Sequence, residues 1–234
     1  MSRLSKFVRR VFGRDPEFSH VRSLRRMKSA GFAPATVYDI GAYHGRWSDD
    51  ASVVFPDANF IMFEANADHA ATLNATGRSW FNVTIGASDT QRDFFVPNLR
   101  STSGASLYPD LASVAKTYEL LTRPVQTLRL DTVVSRDKLP FPDLIKLDIQ
   151  GAEIDALSGA SACLQHCQVI IAETALVASN EGAPLFADLI AWLRERAFFC
   201  ADIAEVHRRG ERDDLIEVDL VFVAQNRMRA WAGT

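Results

Sequence analysis

The sequence predicts an α/β fold in which helices cover both faces of a mostly parallel sheet. Seven short apolar runs rich in β-branched residues recur along the chain, and segments with helical periodicity separate them. The chain has 234 residues, 47% of them hydrophobic, which suits one sizeable core rather than two full domains. We therefore expect a single main domain of this class.

The same patterns place the individual elements. Strands are expected at residues 36–41, 59–65, 81–87, 143–149, 168–174, 198–204 and 218–224, and helices at 46–55, 67–76, 151–162 and 185–197. Between residues 88 and 142, the strand-like pieces "DFFVP" and "VQTLRL" flank a polar loop. A connection this long is typical of a lid or a binding loop, and we expect the acceptor pocket to include loop 99–110.

Charge and cysteine content exclude several classes of protein. Residues 1–30 hold nine basic residues against two acidic ones, a local net charge of +7, so the remainder carries about −10 of the total of −3. An acidic body argues against a broad nucleic-acid surface. The three cysteines include no CxxC pair, so we expect neither a disulfide scaffold nor a metal site. Since the sequence shows neither a secretory signal nor a membrane-spanning run, we expect a cytoplasmic protein.

The stretch "TVYDIGAYHGRW", residues 36–47, predicts a ligand site at the end of the first strand. A dinucleotide fingerprint read from Gly41 would need glycine at positions 43 and 46, which are Tyr43 and Arg46. The charge of Asp39 disfavours a phosphate and suits a ligand with an amine or sulfonium cation. A tight turn with a capping acid is the alternative interpretation.

Glu64 ends the second strand-like run, 19 residues after Gly45, where an acid can bind both hydroxyls of a ribose. An amino group, a cation and a ribose together indicate S-adenosylmethionine. Since this acid stands at the expected place, it favours a cofactor site over a simple turn.

These residues resemble the FkbM family of class I methyltransferases. The resemblance rests on "VYDIGAYHGRWS", "FEANADHAATL", "IGASD", "TSGAS", "VQTLRLDTVV", "PDLIKLDIQGAEIDALSGA" and "VIIAET", which span roughly residues 35–175. It implies a Rossmann-like, seven-stranded sheet with an antiparallel last strand. It also implies methyl transfer from S-adenosylmethionine to a hydroxyl of a sugar, glycan or polyketide, as in polysaccharide biosynthesis.

The resemblance also assigns cofactor contacts. Asp39, Gly41 and Gly45 would hold the methionine end, and Glu64 would bind the ribose. The family usually has Asn where this chain has Tyr43, which leaves the role of that position open. The remaining predicted cofactor contacts are Ala42, Tyr43, Ala65, Asp148 and, beside the adenine, Ala87, Ser88 and Asp89.

A charged pattern in "DLIKLDIQGAE" predicts the catalytic groups. Strand alternation puts Lys146 and Asp148 on the same side of the fourth strand, where charges are costly unless they are paired or functional. We expect Asp148 near the transferred methyl group, with Lys146 or Glu153 orienting or deprotonating the acceptor. The alternatives are a fixed ion pair for Lys146 and favourable placement at a helix N-terminus for Glu153.

Two further residues are catalytic candidates. Glu173 ends the fifth strand, and His44 lies in the cofactor turn, where an imidazole can act as a general base. His44 could equally be a solvent-facing residue at a helix start. The other histidines have no acidic or cysteine neighbours at ligand spacing, so we expect them at the surface or at sheet edges: His20, His69, His166 and His207.

The basic N-terminus is expected to be a helical extension over residues 1–30, followed by the methyltransferase domain at 31–234. Apolar residues recur at helical spacing in "MSRLSKFVRRVFGR", with basic residues off that stripe. Such a helix suits peripheral contact with an anionic membrane at the inner membrane surface. The stripe could equally pack on the domain or on a second copy in a homo-oligomer.

Function remains open between two classes. The first is an O-methyltransferase acting on a sugar hydroxyl, with N-methylation of an amino sugar as a close variant. The second is a non-catalytic module that keeps the cofactor fold within an assembly.

Overall fold

A computed structural model describes residues 18–98, 104–111, 118–228 and residue 231. The amphipathic stretch 1–14 and the hydroxyl residues at 101–103 lie outside these ranges, so their predicted roles stay predictions. Among the described residues, none of the helices is long and apolar enough to cross a membrane.

The main sheet has seven strands in the order β3-β2-β1-β7-β8-β10-β9. Strands β3, β2, β1, β7 and β8 pair in parallel, whereas β10 is antiparallel to both of its neighbours, as predicted. The bounds of the main strands are β1 (Thr36–Ile40), β2 (Asn59–Glu64), β3 (Ser79–Asn82), β7 (Leu144–Leu147), β8 (Val169–Ala175), β9 (Phe198–Arg209) and β10 (Asp214–Ala224).

Helices cover both faces of this sheet because alternate strand residues point to opposite sides. On one face, Val37 packs with residues of α1 and α2, including Leu24 and Val54. On the other face, Tyr38 packs with residues of α4 to α7, including Leu157. The helices are α1 (His20–Ser29), α2 (Arg46–Val54), α3 (Ala70–Ala75), α4 (Leu130–Asp137), α5 (Glu153–Ser158), α6 (Ser161–His166) and α7 (Phe186–Arg194).

A second, three-stranded sheet was not predicted. It has the order β4-β6-β5, with β4 at Thr84–Ile85, β5 at Thr90–Pro97 and β6 at Leu120–Leu128. The expected strand 81–87 is therefore divided: its first part ends β3, and after Val83 it pairs with β6 instead. An apolar run does not reveal which of two sheets it will join.

The expected helix 151–162 is also divided, into α5 and α6. Gly159 separates them, and a Cβ at this position would lie 2.3 Å from the carbonyl oxygen of Gly86. The close approach of two backbones ends the helix here. Helix α4 lies within the stretch for which no helix was predicted.

Helix α1 packs against the sheet. Leu24 and Met27 are fully buried in the core, although the predicted boundary assigns residues 20–29 to the extension. His20 is only 3% exposed, and its ring nitrogens lie 3.2 Å from carboxylate oxygens of Asp50 and Glu205. The expectation of a surface histidine is therefore wrong, because three elements that are distant in sequence meet around this ring.

Candidate functional site

A cavity of about 220 Å³ opens at the carboxyl ends of β1, β2 and β7. This edge is where open α/β sheets bind ligands. The structure therefore brings together groups from the ends of four strands that are distant in sequence, since β8 also contributes a residue. The predicted site residues that line the cavity are Gly41, Tyr43, Glu64, Ala65, Asp148 and Glu173.

Gly41 forms the floor of this cavity. It has a positive φ of 78°, and a Cβ at this position would lie 2.0 Å from the carbonyl oxygen of Asp148. Its N–H donates to the carbonyl of Phe63 at 2.9 Å. The ends of β1, β2 and β7 thus meet through backbone atoms, and only glycine fits at their junction.

Gly45 and Ala42 support the turn from below. Gly45 has a φ of 77° and precedes the first residue of α2. Ala42 is buried with Met62 and Leu73 and does not line the cavity. The turn directs these two residues toward Met62 and Leu73, and their predicted cofactor contacts stay predictions.

Asp39 also lies beneath the turn. It is fully buried, its Oδ2 accepts a hydrogen bond from Ser48 at 2.7 Å, and its Oδ1 lies 3.3 Å from Lys146 Nζ. Asp39 is thus paired within the protein, and its expected contact with a cationic ligand stays a prediction. Its partner on β7 is Lys146, directly opposite in register.

Lys146 is a structural cation. Its Nζ lies 3.3 Å from carboxylate oxygens of both Asp39 and Asp148 and donates to the carbonyl of Gly41. Burial would lower the pKa of Lys146, but the Asp148 and Asp39 carboxylates more than offset it and raise the pKa above its ordinary value. Lys146 is thus paired with two carboxylates, which is the geometry of the ion-pair alternative, and its predicted role toward an acceptor stays a prediction.

Glu64 presents its carboxylate to the cavity with both oxygens held. Oε2 accepts from the N–H of Tyr43 at 2.7 Å, and Oε1 accepts from the N–H of Asn66 at 2.8 Å. Burial raises the pKa of Glu64, and these two N–H groups partly counter that effect. Each oxygen keeps a further acceptor site, so the fixed carboxylate can still bind ligand hydroxyls.

Asp148 is the most exposed of the three carboxylates that line the cavity, with 42% of its side chain accessible. Its Oδ1 accepts from Gln150 Nε2 at 3.2 Å. Burial would raise the pKa of Asp148, but the Lys146 ammonium and the Gln150 amide more than offset it and hold the pKa below its ordinary value. Asp148 is thus a negative charge facing the cavity.

Glu173 lies on the same wall at the end of β8. Its Oε2 accepts a hydrogen bond from Gln150 Nε2, so a single amide bridges Glu173 and Asp148. Burial and the nearby carboxylates of Asp148 and Asp219 raise the pKa of Glu173 well above its ordinary value. Glu173 therefore lines the cavity at the position that the sequence predicted for it.

Glu153 does not line the cavity. It is 6% exposed, and its Oε1 accepts from the N–H of Ile149 at 3.0 Å. Burial raises its pKa to about 7. The geometry is that of a support for the turn between β7 and α5, since the side chain folds back on the backbone instead of reaching an acceptor.

An aromatic group borders the cavity. Tyr43 has an unusual positive φ of 51°, and its ring stacks on His44 at 3.8 Å and meets His69 edge-on at 4.4 Å. Among residues other than glycine, Asn and Asp adopt this left-handed conformation more readily than Tyr. His69 lines the cavity and is 5% exposed, contrary to the expected surface position, whereas His44 does not line it.

The segment expected beside the adenine serves another purpose. Ala87, Ser88 and Asp89 do not line the cavity, and Asp89 accepts from the N–H of Arg129 at 2.7 Å and from Thr132 Oγ1 at 2.8 Å. Asp89 therefore holds the start of α4. The cavity wall is formed by residues slightly earlier in the chain, at 83–85.

The described part of the predicted acceptor loop closes one side of the cavity. Residues 104–107 line it, and Ser106 Oγ donates to the carbonyl of Gln150 at 2.8 Å. Asn180 Nδ2 donates to the carbonyl of Tyr108 at 3.0 Å. This segment, 104–108, is thus tied to the β7 turn and to the loop after β8.

Sequence reasoning missed His207 and Asp219 as site residues. His207 Nε2 lies 3.3 Å from Asp219 Oδ1 and 3.8 Å from Glu173 Oε1. Ligand atoms of these three residues lie within 4.8 Å of one another. The three side chains contact one another, and Glu173 also accepts a hydrogen bond from Gln150. These contacts explain why the three residues lie together, and no bound cation is needed. Strand β9 continues to Arg209, beyond the predicted end of the sixth strand at 204, and the cross-strand pairing that brings these residues together could not be read from the sequence.

Comparison with known proteins agrees with this geometry. The model of the Methyltransferase FkbM domain matches residues 39–200. The hexuronic acid methyltransferase AglP of Haloferax volcanii is 26% identical over 144 residues, which cover 58% of this chain and 54% of that protein. The chain therefore spans about half the length of this curated relative.

A solved structure of a family member shows the same fold at low sequence identity. The methyltransferase FkbM from Methylobacillus flagellatus KT has a TM-score of 0.50 and 15% identity, covering 79% of this chain and 43% of that one. Precorrin-6y C5,15-methyltransferase from Geobacter metallireducens GS-15 has a TM-score of 0.46 and 12% identity, covering 87% and 86%. With the family match spanning most of the chain, the protein belongs to the FkbM methyltransferase family.

Proposed function

We propose that the protein is an S-adenosylmethionine-dependent methyltransferase that methylates a sugar hydroxyl. The observation that carries the proposal is the backbone contact between Gly41 and Asp148, with the Glu64 carboxylate beside it. This floor has no side chain, and the carboxylates of Asp148 and Glu64 face the cavity beside it. A phosphate would be repelled there, whereas a cationic ligand with ribose hydroxyls fits.

The residues of the cavity match the parts of this cofactor. Glu64 would accept the ribose hydroxyls, because its oxygens are fixed and keep free acceptor sites. Asp148 would attract the positive groups of the methionine end. Apolar side chains suited to a purine ring line the same cavity: Phe63, Val83 and Ile85.

The chain contributes alignment, charge and exclusion of water. When bound, the cofactor supplies a methyl group on a positively charged sulfur. Alignment of two bound reactants is the largest contribution an enzyme makes to such a displacement. Asp148 and Glu173 are the predicted catalytic carboxylates that reach the cavity, while Lys146 and Glu153 hold the turn that carries Asp148.

A sugar acceptor is supported by the Haloferax relative, which is named as a hexuronic acid methyltransferase. A neutral sugar hydroxyl is a poor nucleophile, so a nearby carboxylate assists it. Glu173 lines both the main cavity and a smaller one beside it, which is framed by Gly151 and Asn180. We place the acceptor on this side of Asp148.

Calorimetry with S-adenosylmethionine tests the cofactor site. We expect Glu64→Ala to weaken binding by about 1.5 to 3 kcal/mol, roughly ten- to a hundredfold, because a charge-assisted hydrogen bond is lost. Glu195→Ala is the control, since that side chain is 77% exposed. Thermal unfolding checks that both variants are folded. A parent chain that does not bind the cofactor at millimolar concentration contradicts the proposal.

Turnover is measured with labelled cofactor and a panel of hexuronic acid and neutral sugar glycosides. Transfer of label to a hydroxyl oxygen of one of them is the expected result. Binding of the cofactor without transfer to any acceptor favours the non-catalytic module instead.

A further inference from the structure

Glu173 and Asp219 form an unusual pair on neighbouring strands. They are direct partners in the antiparallel register of β8 and β10. Like charges directly opposite one another destabilise a sheet unless a counter-group intervenes. The imidazole of His207, on β9, lies against both carboxylates through the same nitrogen, Nε2.

The surroundings of His207 favour the binding of a proton. Burial would lower the pKa of His207, but the hydrogen bond to Asp219 and the charges of Asp219, Glu205 and Glu217 more than offset it and raise the pKa above its ordinary value. Glu173, on β8, adds a further carboxylate on the same side. Carboxylates from β8, β9 and β10 thus lie close to the imidazole of His207.

The cluster also connects the cavity with solvent. At its inner end, Glu173 lines the cavity, and Gln150 Nε2 fixes its Oε2. At its outer end, the side chain of His207 is 36% exposed. An imidazole can accept a proton at one nitrogen and release one from the other, so it can pass protons between the two environments.

We propose that Glu173, His207 and Asp219 form a relay that carries the acceptor's proton from the cavity to solvent. The relay rests on the proposed methyl transfer to a hydroxyl. In that step the oxygen–methyl bond forms as the sulfur–methyl bond breaks, and sulfur keeps the electron pair of the broken bond. Glu173 first passes its own proton through His207 to water, and the carboxylate so formed takes the hydroxyl proton, so that one proton leaves per transfer. Glu173 is the catalytic base, and His207 and Asp219 are positioning residues.

The first test needs no acceptor. Nuclear magnetic resonance of the full chain labelled with ¹⁵N-histidine follows the titration of the His207 ring, which His207→Gln assigns by removing its signal. We expect a midpoint above the ordinary value, and a decrease of about half a pH unit or more in two variants: Asp219→Asn, which removes the charge hydrogen-bonded to the ring, and Glu173→Gln, which removes the group that shares a proton with Nε2. Glu195→Gln, on the exposed end of α7, is the control. A midpoint that Glu173→Gln leaves unchanged overturns the relay.

The second test measures turnover on p-nitrophenyl β-D-glucuronide with S-adenosylmethionine. His207→Gln should lower kcat roughly a hundredfold at neutral pH, the scale of general base catalysis, with KM for the cofactor unchanged within about twofold. The loss should shrink at higher pH, where solvent takes the proton more readily. The matched control is His166→Gln, because His166 is an exposed histidine at the end of α6, just before the start of β8.

The remaining outcomes are also decisive. An unchanged kcat in His207→Gln overturns the relay, and so does activity that is lost with a chelator and restored by Mn²⁺, which would place a cation at these atoms. If the parent binds the cofactor but does not methylate the glucuronide, the proposed acceptor fails, and the histidine titration alone decides whether Glu173 and His207 share a proton.

Discussion

Replacing Glu153 by Gln should remove a pH dependence from the stability of the fold. The Glu153 carboxyl is buried and has a pKa of about 7, against an ordinary value of 4.5. A raised pKa means that the folded state favours the protonated form. The resulting stabilisation is fully present below pH 4.5 and is lost as pH rises through about 7.

The magnitude follows from these two values. At about 1.4 kcal/mol per pH unit, the difference between about 7 and 4.5 corresponds to roughly 3 kcal/mol in total. Between pH 5.5 and 8.0 the parent should lose about 2 kcal/mol of this, because the folded-state carboxyl ionises within that window. Glutamine can still accept from the N–H of Ile149, so the turn itself is kept.

Urea unfolding of both proteins at pH 5.5 and 8.0 measures the effect. From pH 5.5 to pH 8.0, the free energy of unfolding should fall by about 2 kcal/mol more in the parent than in Glu153→Gln. Other titrating groups contribute to both proteins and cancel in this comparison. Glu195→Gln, on an exposed side chain, should behave as the parent. Equal pH dependence in parent and Glu153→Gln would refute the reasoning.

Three further predictions concern the floor of the cavity, its charge and the N-terminus. Gly41→Ala should abolish cofactor binding in calorimetry and destabilise the fold by several kcal/mol, whereas Gly31→Ala, with nearly the same φ but open space around it, should cost only about 1 to 2 kcal/mol. Asp148→Asn should keep the fold and measurable cofactor binding but lose most turnover. Deletion of residues 1–14 should reduce sedimentation with anionic liposomes at low salt; equal recovery of both chains in the supernatant eliminates a membrane role.

Strand positions and the ligand turn could be predicted because they depend on local patterns. The β-branched runs located six of the seven main strands, whereas the run at 81–87 overlaps β3 only at its start. Gly41 and Glu64 were singled out from their places at the ends of the first two strands. Pairing register could not be read in this way. Asp39 and Lys146 are directly opposite on neighbouring strands, so each neutralises the other beneath the floor, a contact that joins residues more than one hundred positions apart.

The relay residues were missed for a related reason. His207 and Asp219 are 12 positions apart, and they meet only because β9 and β10 form a long antiparallel pair with irregular register. The sequence showed two shorter strands, with His207 beyond the end of the first. A histidine at a predicted strand end carries no signal until its cross-strand neighbours are known.

The attachment of segment 104–108 has a consequence for how specificity can change. Ser106 holds the carbonyl of Gln150, the same residue whose amide bridges Asp148 and Glu173. Altering this segment would therefore also move the two carboxylates that line the cavity. An exchange of the loop between relatives would need compensating changes in the β7 turn.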